Sequence, residues 1–426
     1  MKIFRVEPAS KLFGEIRMSG DKSISHRAIM CGAIAKGKTV AEDILDCDDC
    51  NFTMNAFREM GVRFERDGRF TIIHGVGLNG LSNPDKPIYV GNSGTSMRVL
   101  AGILAGQEFA SMLTGDKGLC NRPMSRIIEP LKMMGACVHA KADGTPPLEI
   151  KPAKLKSIEY KLPVPSAQVK SSILFAGLYA KGATAVEEKL KSRDHTERMM
   201  KHFGADIKVD NLKVLISGGC EMKGVDIMIP GDISSASFFA AGAILLKNSN
   251  IRINGVSVNP SRAGMLDILL RMGARCRVVN RIDAFEPYGD IEVESGPIEG
   301  IVINESDIPG IIDELPIIFV LASLAGGKTI IKGAEELRVK ETDRITSMRE
   351  NLNSMGGKVY VSGADIVIDG VEKLKGADIK SFGDHRTVMA MTMAALTAEG
   401  ASSIDDVECV SKSFPGFFNL LDTIKC

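Results

Sequence analysis

Apolar stretches rich in small residues recur at intervals of roughly 70 residues, and a short polar or glycine-rich run opens each one. The six runs are Gly20-Asp21-Lys22-Ser23, Gly91-Asn92-Ser93-Gly94, Pro165-Ser166-Ala167-Gln168, Gly231-Asp232-Ile233-Ser234, Asp313-Glu314-Leu315 and Gly383-Asp384-His385-Arg386. Stretches such as Ser171-Ser172-Ile173-Leu174-Phe175-Ala176-Gly177 follow them and predict small-residue apolar helices. A second register supports the period. Helices ending in glycine are expected at Met60-Gly61, Met134-Gly135, Phe203-Gly204, Met272-Gly273 and Met355-Gly356. Alternating segments such as Ala205-Asp206-Ile207-Lys208-Val209 and Lys358-Val359-Tyr360-Val361, with turns at Asp67-Gly68 and Ser362-Gly363, then predict strand hairpins. One unit reads βαβαββ.

The sixth unit ends at the helix predicted for Phe417 to Lys425 and has no hairpin after it, while the N-terminus offers an orphan one, Lys2 to Val6 with Gly14 to Met18. That hairpin is expected to complete the last unit. Gly14 to Asp21 and Gly224 to Asp232 read as the same segment half a chain apart, and so as two crossings between halves of three units. The expected domains are residues 21–229, and residues 230–426 joined by 1–20. Free backbone N–H groups and the dipole make helix N-termini anion sites, so six of them facing an interdomain cleft would trap anionic ligands.

Composition suits a soluble, enzyme-sized chain of two or three domains: 426 residues, 44% hydrophobic, 25% charged. No run approaches a membrane span, and the N-terminus lacks the apolar core of a signal peptide, so a cytoplasmic location is expected. Lys plus Arg equal Asp plus Glu at 53 each, which argues against a general nucleic-acid or membrane-surface binder. Nine cysteines without a framework spacing read as reduced thiols. Cys47 and Cys50 lack a second pair, and His195 and His202 lack a third ligand, so no metal site is expected. Gly326-Gly327-Lys328-Thr329 lacks the upstream glycine of a phosphate loop and reads as a helix-to-strand turn. The 21 methionines read as core filling.

Charged side chains gather at matching points of the repeats: Lys22 and Arg27, Arg122, Lys340 with Glu341 and Arg344, Arg386, and Lys412. The runs Gly20 to Arg27, Gly91 to Arg98, Arg122-Pro123-Met124, Arg338 to Arg344 and Gly383 to Arg386 resemble, in order and across the chain, the 3-phosphoshikimate 1-carboxyvinyltransferase (EPSP synthase) family. The resemblance implies an α/β (α+β) fold, a two-domain inside-out α/β barrel of six βαβαββ repeats, three per domain, with the active site in the interdomain cleft. It further implies transfer of the enolpyruvyl group of phosphoenolpyruvate to the 5-hydroxyl of shikimate 3-phosphate, in the shikimate pathway to chorismate and aromatic amino acids, without metal or organic cofactor.

By the same resemblance, Lys22, Ser23, Arg27, Ser166, Ala167, Gln168, Ser192, Asp313 and Lys340 bind shikimate 3-phosphate. Lys22, Gly94, Arg122, Gln168, Arg344, Arg386 and Lys412 hold phosphoenolpyruvate, and Asp313, Glu341 and Lys22 move protons. Two substrates with about five to six negative charges meet seven cations, less the carboxylates of Asp313 and Glu341. A site half on each domain would repel itself open when empty and close on the anions. Ala167 stands where many relatives have Ser, and Arg193 to Thr196 replaces a Tyr-containing segment, which resembles the Ala-Gln branch of the family. Gly94 leaves room beside phosphoenolpyruvate for the herbicide glyphosate, and a monomer is expected.

Two other readings stay open. The first is enolpyruvyl transfer to UDP-N-acetylglucosamine, although Lys117 stands where that family has a loop Cys. The second is an RNA-end-processing or RNA-binding protein on related repeats, against which stand zero net charge, 5% aromatics and no Trp.

Overall fold

Six helices are buried along almost their whole length: Lys22–Ile34, Gly94–Leu104, Ala167–Gly177, Ile233–Leu245, Leu315–Leu324 and His385–Thr397. Their small and apolar residues have no polar face to offer water, so each must be enclosed by other elements. The computed structural model describes residues 3–426. Two compact units emerge, residues 20–229 and residues 1–19 with 230–426. In the second, the helices Ile233–Leu245, Leu315–Leu324 and His385–Thr397 pack on one another and against strands. In the first, Gly94–Leu104 lies closely along Ala167–Gly177, where a Cβ on Gly102 would fall 2.1 Å from the carbonyl oxygen of Ser172. Only glycine permits that approach.

Among the described residues, six sheets accompany the six inner helices, five of four strands and one of three. In Ile88–Tyr89, Ser111–Thr114, Leu148–Lys151 and Cys137–His139, the first pair is parallel across the inner helix and the rest antiparallel. Amphipathic helices such as Asp48–Glu59, Ser125–Met133 and Gly264–Arg271 pack on the hairpins. The five glycines at helix ends, Gly61, Gly135, Gly204, Gly273 and Gly356, all adopt positive φ between 84° and 91°, the left-handed stop that glycine takes without a Cβ penalty.

The two similar segments exchange places. Asp226–Met228 runs parallel to Lys36–Glu42, and Phe13–Arg17 runs parallel to Asn250–Ser257. The expected N-terminal hairpin does not form. Phe4–Val6 pairs antiparallel with Ser402–Ile404, completing a three-stranded sheet, while Phe13–Arg17 joins a different sheet. The separation follows from Phe13–Arg17 being one of the exchanged segments: pairing parallel to Asn250–Ser257 commits it to another repeat. Lys2, the first residue expected in that hairpin, lies outside the described residues. No helix among the described residues is long and apolar enough to cross a membrane.

Candidate active site

In the unit containing residues 230–426, one guanidinium organises the charged residues. Arg344 is the first residue of the helix Arg344–Ser354, and its side chain is 1% exposed. Its Nε donates to Asp384 Oδ2 at 2.8 Å, and its terminal nitrogens approach Glu341 at 2.5 Å and Asp313 at 3.5 Å. Burial alone would make the guanidinium easier to deprotonate, but Asp384, Glu341 and Asp313 outweigh it and hold Arg344 above its ordinary range. Asp384 also caps the helix His385–Thr397, accepting from the backbone N–H of Arg386 at 2.8 Å and Thr387 at 3.3 Å. One buried carboxylate thus ties the start of an inner helix to Arg344.

Arg386 reaches back across the same cluster. Its Nη1 donates to the carbonyl of Asp313 at 2.9 Å, and its Nε lies 3.4 Å from the Asp313 carboxylate. Lys340, at the end of a 3-10 turn, is pushed below the ordinary lysine range by burial, against the opposing pull of Asp313 and Glu336. Lys412 Nζ donates to the carbonyl of Gly383 at 3.1 Å, immediately before Asp384. Asp313, Lys340, Glu341, Arg344 and Arg386 therefore form one electrostatic group, in which the planar guanidinium forks of Arg344 and Arg386 are engaged by carboxylate and carbonyl oxygens.

The other unit presents three inner-helix starts. Asp21 caps Lys22–Ile34 through Ile24 N at 2.9 Å, Ser93 caps Gly94–Leu104 through Ser96 N at 3.2 Å, and Ser166 caps Ala167–Gly177 through Val169 N at 3.4 Å. Lys22 and Arg27 share one helix but turn to different partners. Lys22 Nζ meets Asp49 at 3.0 Å, and Arg27 donates to Thr196 at 2.7 Å, to Ser171 at 3.0 Å and to the carbonyl of Ser23 at 2.9 Å. Burial lowers the pKa of Arg27, opposed by Glu197.

Gln168, beside Ala167, donates to Thr95 at 3.0 Å and accepts from Arg98 at 2.8 Å. Arg122 Nη2 donates to the Asn92 side-chain oxygen at 2.7 Å, while the Asn92 amide nitrogen lies 2.8 Å from both oxygens of Asp116. A Cβ on Gly94 would lie 3.2 Å from Arg122 Nη1. Ser192 hydrogen-bonds Glu188, which pairs with Lys170 at 2.7 Å in the interior.

Several contributors were not expected from the sequence. Asp384, Asp49, Asn92 and Thr196 each hold a proposed ligand-binding side chain, and their partners lie 27 to 169 residues away in sequence. Asp384 and Asn92 each had a local signal, their places in the Gly-Asp-His-Arg and Gly-Asn-Ser-Gly runs. The expected start at Asp313-Glu314-Leu315 also differs from the others. Glu314 is the N-cap residue but gives no side-chain cap, and Asp313 turns to the arginines instead. All nine cysteines are free thiols.

The fold is the one seen in the enolpyruvyl transferase NikO from Streptomyces tendae, with a TM-score of 0.81 at 17% identity over 99% of this chain and 97% of that one. The EPSP synthase of Acinetobacter baumannii superposes with a TM-score of 0.89 at 43% identity, covering 100% and 98% of the two chains. A 3-phosphoshikimate 1-carboxyvinyltransferase from Citrifermentans bemidjiense is 48% identical, over 100% of this chain and 99% of its own. The chain belongs to the EPSP synthase (3-phosphoshikimate 1-carboxyvinyltransferase) family, whose model matches residues 6–421.

Proposed function

We propose that this chain transfers the 1-carboxyvinyl group of phosphoenolpyruvate to the 5-hydroxyl of shikimate 3-phosphate, giving 5-enolpyruvylshikimate 3-phosphate and phosphate. Membership of the family makes it a transferase of the shikimate pathway. The observation that carries the assignment of roles is the Arg344 cluster, where cations able to grip a small dianion stand beside the carboxylates of Asp313 and Glu341.

Shikimate 3-phosphate is assigned to Lys22, Ser23, Arg27, Ser166, Ala167, Gln168 and Ser192, with Asp313 and Lys340. Phosphoenolpyruvate is assigned to Lys22, Gly94, Arg122, Gln168, Arg344, Arg386 and Lys412. The 5-hydroxyl oxygen bonds to C2 of phosphoenolpyruvate as its proton passes to Asp313 and C3 gains a proton from Glu341, with Lys22 able to exchange roles with either. The tetrahedral ketal then loses a proton from C3 and expels phosphate, restoring the double bond. Phosphate is already a good leaving group there, so the route calls for no cofactor. A single chain carries every residue assigned, so a monomer suffices, and free thiols fit a cytosolic setting.

Phosphate release from phosphoenolpyruvate tests the proposal. It is expected with shikimate 3-phosphate and not with UDP-N-acetylglucosamine, and the reverse preference would overturn it.

A further inference from the structure

Five of the six inner helices begin with a side chain spent as a cap: Asp21, Ser93, Ser166, Asp232 and Asp384 each accept from a backbone N–H of the first turn. The sixth, Leu315–Leu324, has no such cap, and its N-cap residue Glu314 sits in helical conformation at φ −92° and ψ −13°. Asp313, one residue before that position, turns its carboxylate toward Arg344 and Arg386.

Glu314 turns the opposite way, into the interior, where its side chain is 0% exposed. Its Oε1 accepts from Arg262 Nη1 at 2.7 Å and from the hydroxyl of Ser234. Arg262, 1% exposed, also donates to Ser234 and lies 3.6 Å from Asp232. The backbone N–H of Arg262 donates to the carbonyl of Asn259 at 2.8 Å, and the Asn259 amide donates to the buried Glu286 at 2.9 Å. The adjacent residues Asp313 and Glu314 are therefore gripped from two sides, by Arg386 through the Asp313 carbonyl and by Arg262 through the Glu314 carboxylate.

Stability alone is a poor reason for this arrangement. Apolar residues of similar volume often replace a buried ion pair without loss. A guanidinium at the starts of two helices also opposes the positive ends of their dipoles. What the pair does supply is a fixed position for the Asp313–Glu314 peptide without using the Asp313 side chain.

We propose that Arg262 and Glu314 are positioning residues for the reaction, doing at this helix start the anchoring that caps do at the other five, so that the Asp313 carboxylate is held facing Arg344 and Arg386, where it takes the proton. The inference rests on the function proposed above, and wild-type turnover measured alongside separates failure of that reading from failure of this one.

Arg262→Gln is expected to lower kcat about 10- to 100-fold, since a shift near 1 Å at a reacting group carries a cost of that order. KM for both substrates should stay within about threefold, because Arg262 touches neither. Arg262→Lys, which keeps the charge, should recover part of the loss. The double variant Arg262→Gln with Glu314→Gln restores a neutral hydrogen-bonded pair and should exceed the single variant in kcat by about fivefold. This double variant, with Arg262→Lys, decides the matter should Arg262→Gln fold poorly. Turnover per folded molecule equal to wild type in these variants, with only thermal stability reduced, would overturn the inference.

Discussion

Arg344 and Asp384 form an ion pair at 2.8 Å in which the two side chains are 1% and 0% exposed. The same Asp384 caps the helix that carries Arg386. One carboxylate therefore sets the placement of two of the three guanidiniums assigned to phosphoenolpyruvate, those of Arg344 and Arg386. Asp384→Ala removes one partner of a buried pair, which costs about 3–5 kcal/mol, and removes a cap as well. Chemical denaturation should show a loss of that order. In the folded fraction, KM for phosphoenolpyruvate should rise more than KM for shikimate 3-phosphate.

Asp313 carries the proton-transfer assignment. Asp313→Ala should lose at least about 100-fold in kcat while still binding shikimate 3-phosphate by titration calorimetry. Near-normal turnover would remove Asp313 from the chemistry.

Gly94 stands where a Cβ would lie 2.9 Å from Arg98 Nη1 and 3.2 Å from Arg122 Nη1. Both neighbours are ends of flexible side chains, so Gly94→Ala should fold normally but displace Arg122. We expect KM for phosphoenolpyruvate to rise by about tenfold, equivalent to about 1.4 kcal/mol. The glyphosate inhibition curve should move to higher concentration. Unchanged KM would mean that Arg122 does not set phosphoenolpyruvate affinity.

His26 gives a pH signature in stability. Burial, then the positive charges of Lys22 and Arg27, hold it well below the ordinary value of 6.5. The unfolded chain therefore binds the His26 proton at higher pH than the native protein does. Stability from this group is complete above about pH 6.5 and falls as the pH drops below it, by up to about 1.4 kcal/mol per unit. Unfolding free energies between pH 5 and 8 should converge at acid pH for wild type and His26→Gln. Parallel curves would place no titration at His26.

The helix starts and stops were legible because they are local events. A cap such as Asp21 bonds three residues away, and a left-handed glycine such as Gly61 declares itself by type alone. The repeat then supplied the sheet pattern. Pairings over long separations were not legible: Arg344 with Asp384 across 40 positions, Arg262 with Glu314 across 52. No periodicity marks them, because burial among apolar neighbours selects the partner. The split of the N-terminal hairpin was hidden for a related reason. Phe4–Val6 and Phe13–Arg17 both alternate as strands do, and alternation does not say which sheet a strand will join.

Phosphorus NMR of the purified protein with equimolar phosphoenolpyruvate and shikimate 3-phosphate tests the central claim most directly. The phosphoenolpyruvate resonance should give way to inorganic phosphate, while the sugar-type phosphate persists, shifted, in a product that carries the enolpyruvyl ether. Release of phosphate that is independent of shikimate 3-phosphate, or loss of the phosphate of shikimate 3-phosphate itself, would contradict it.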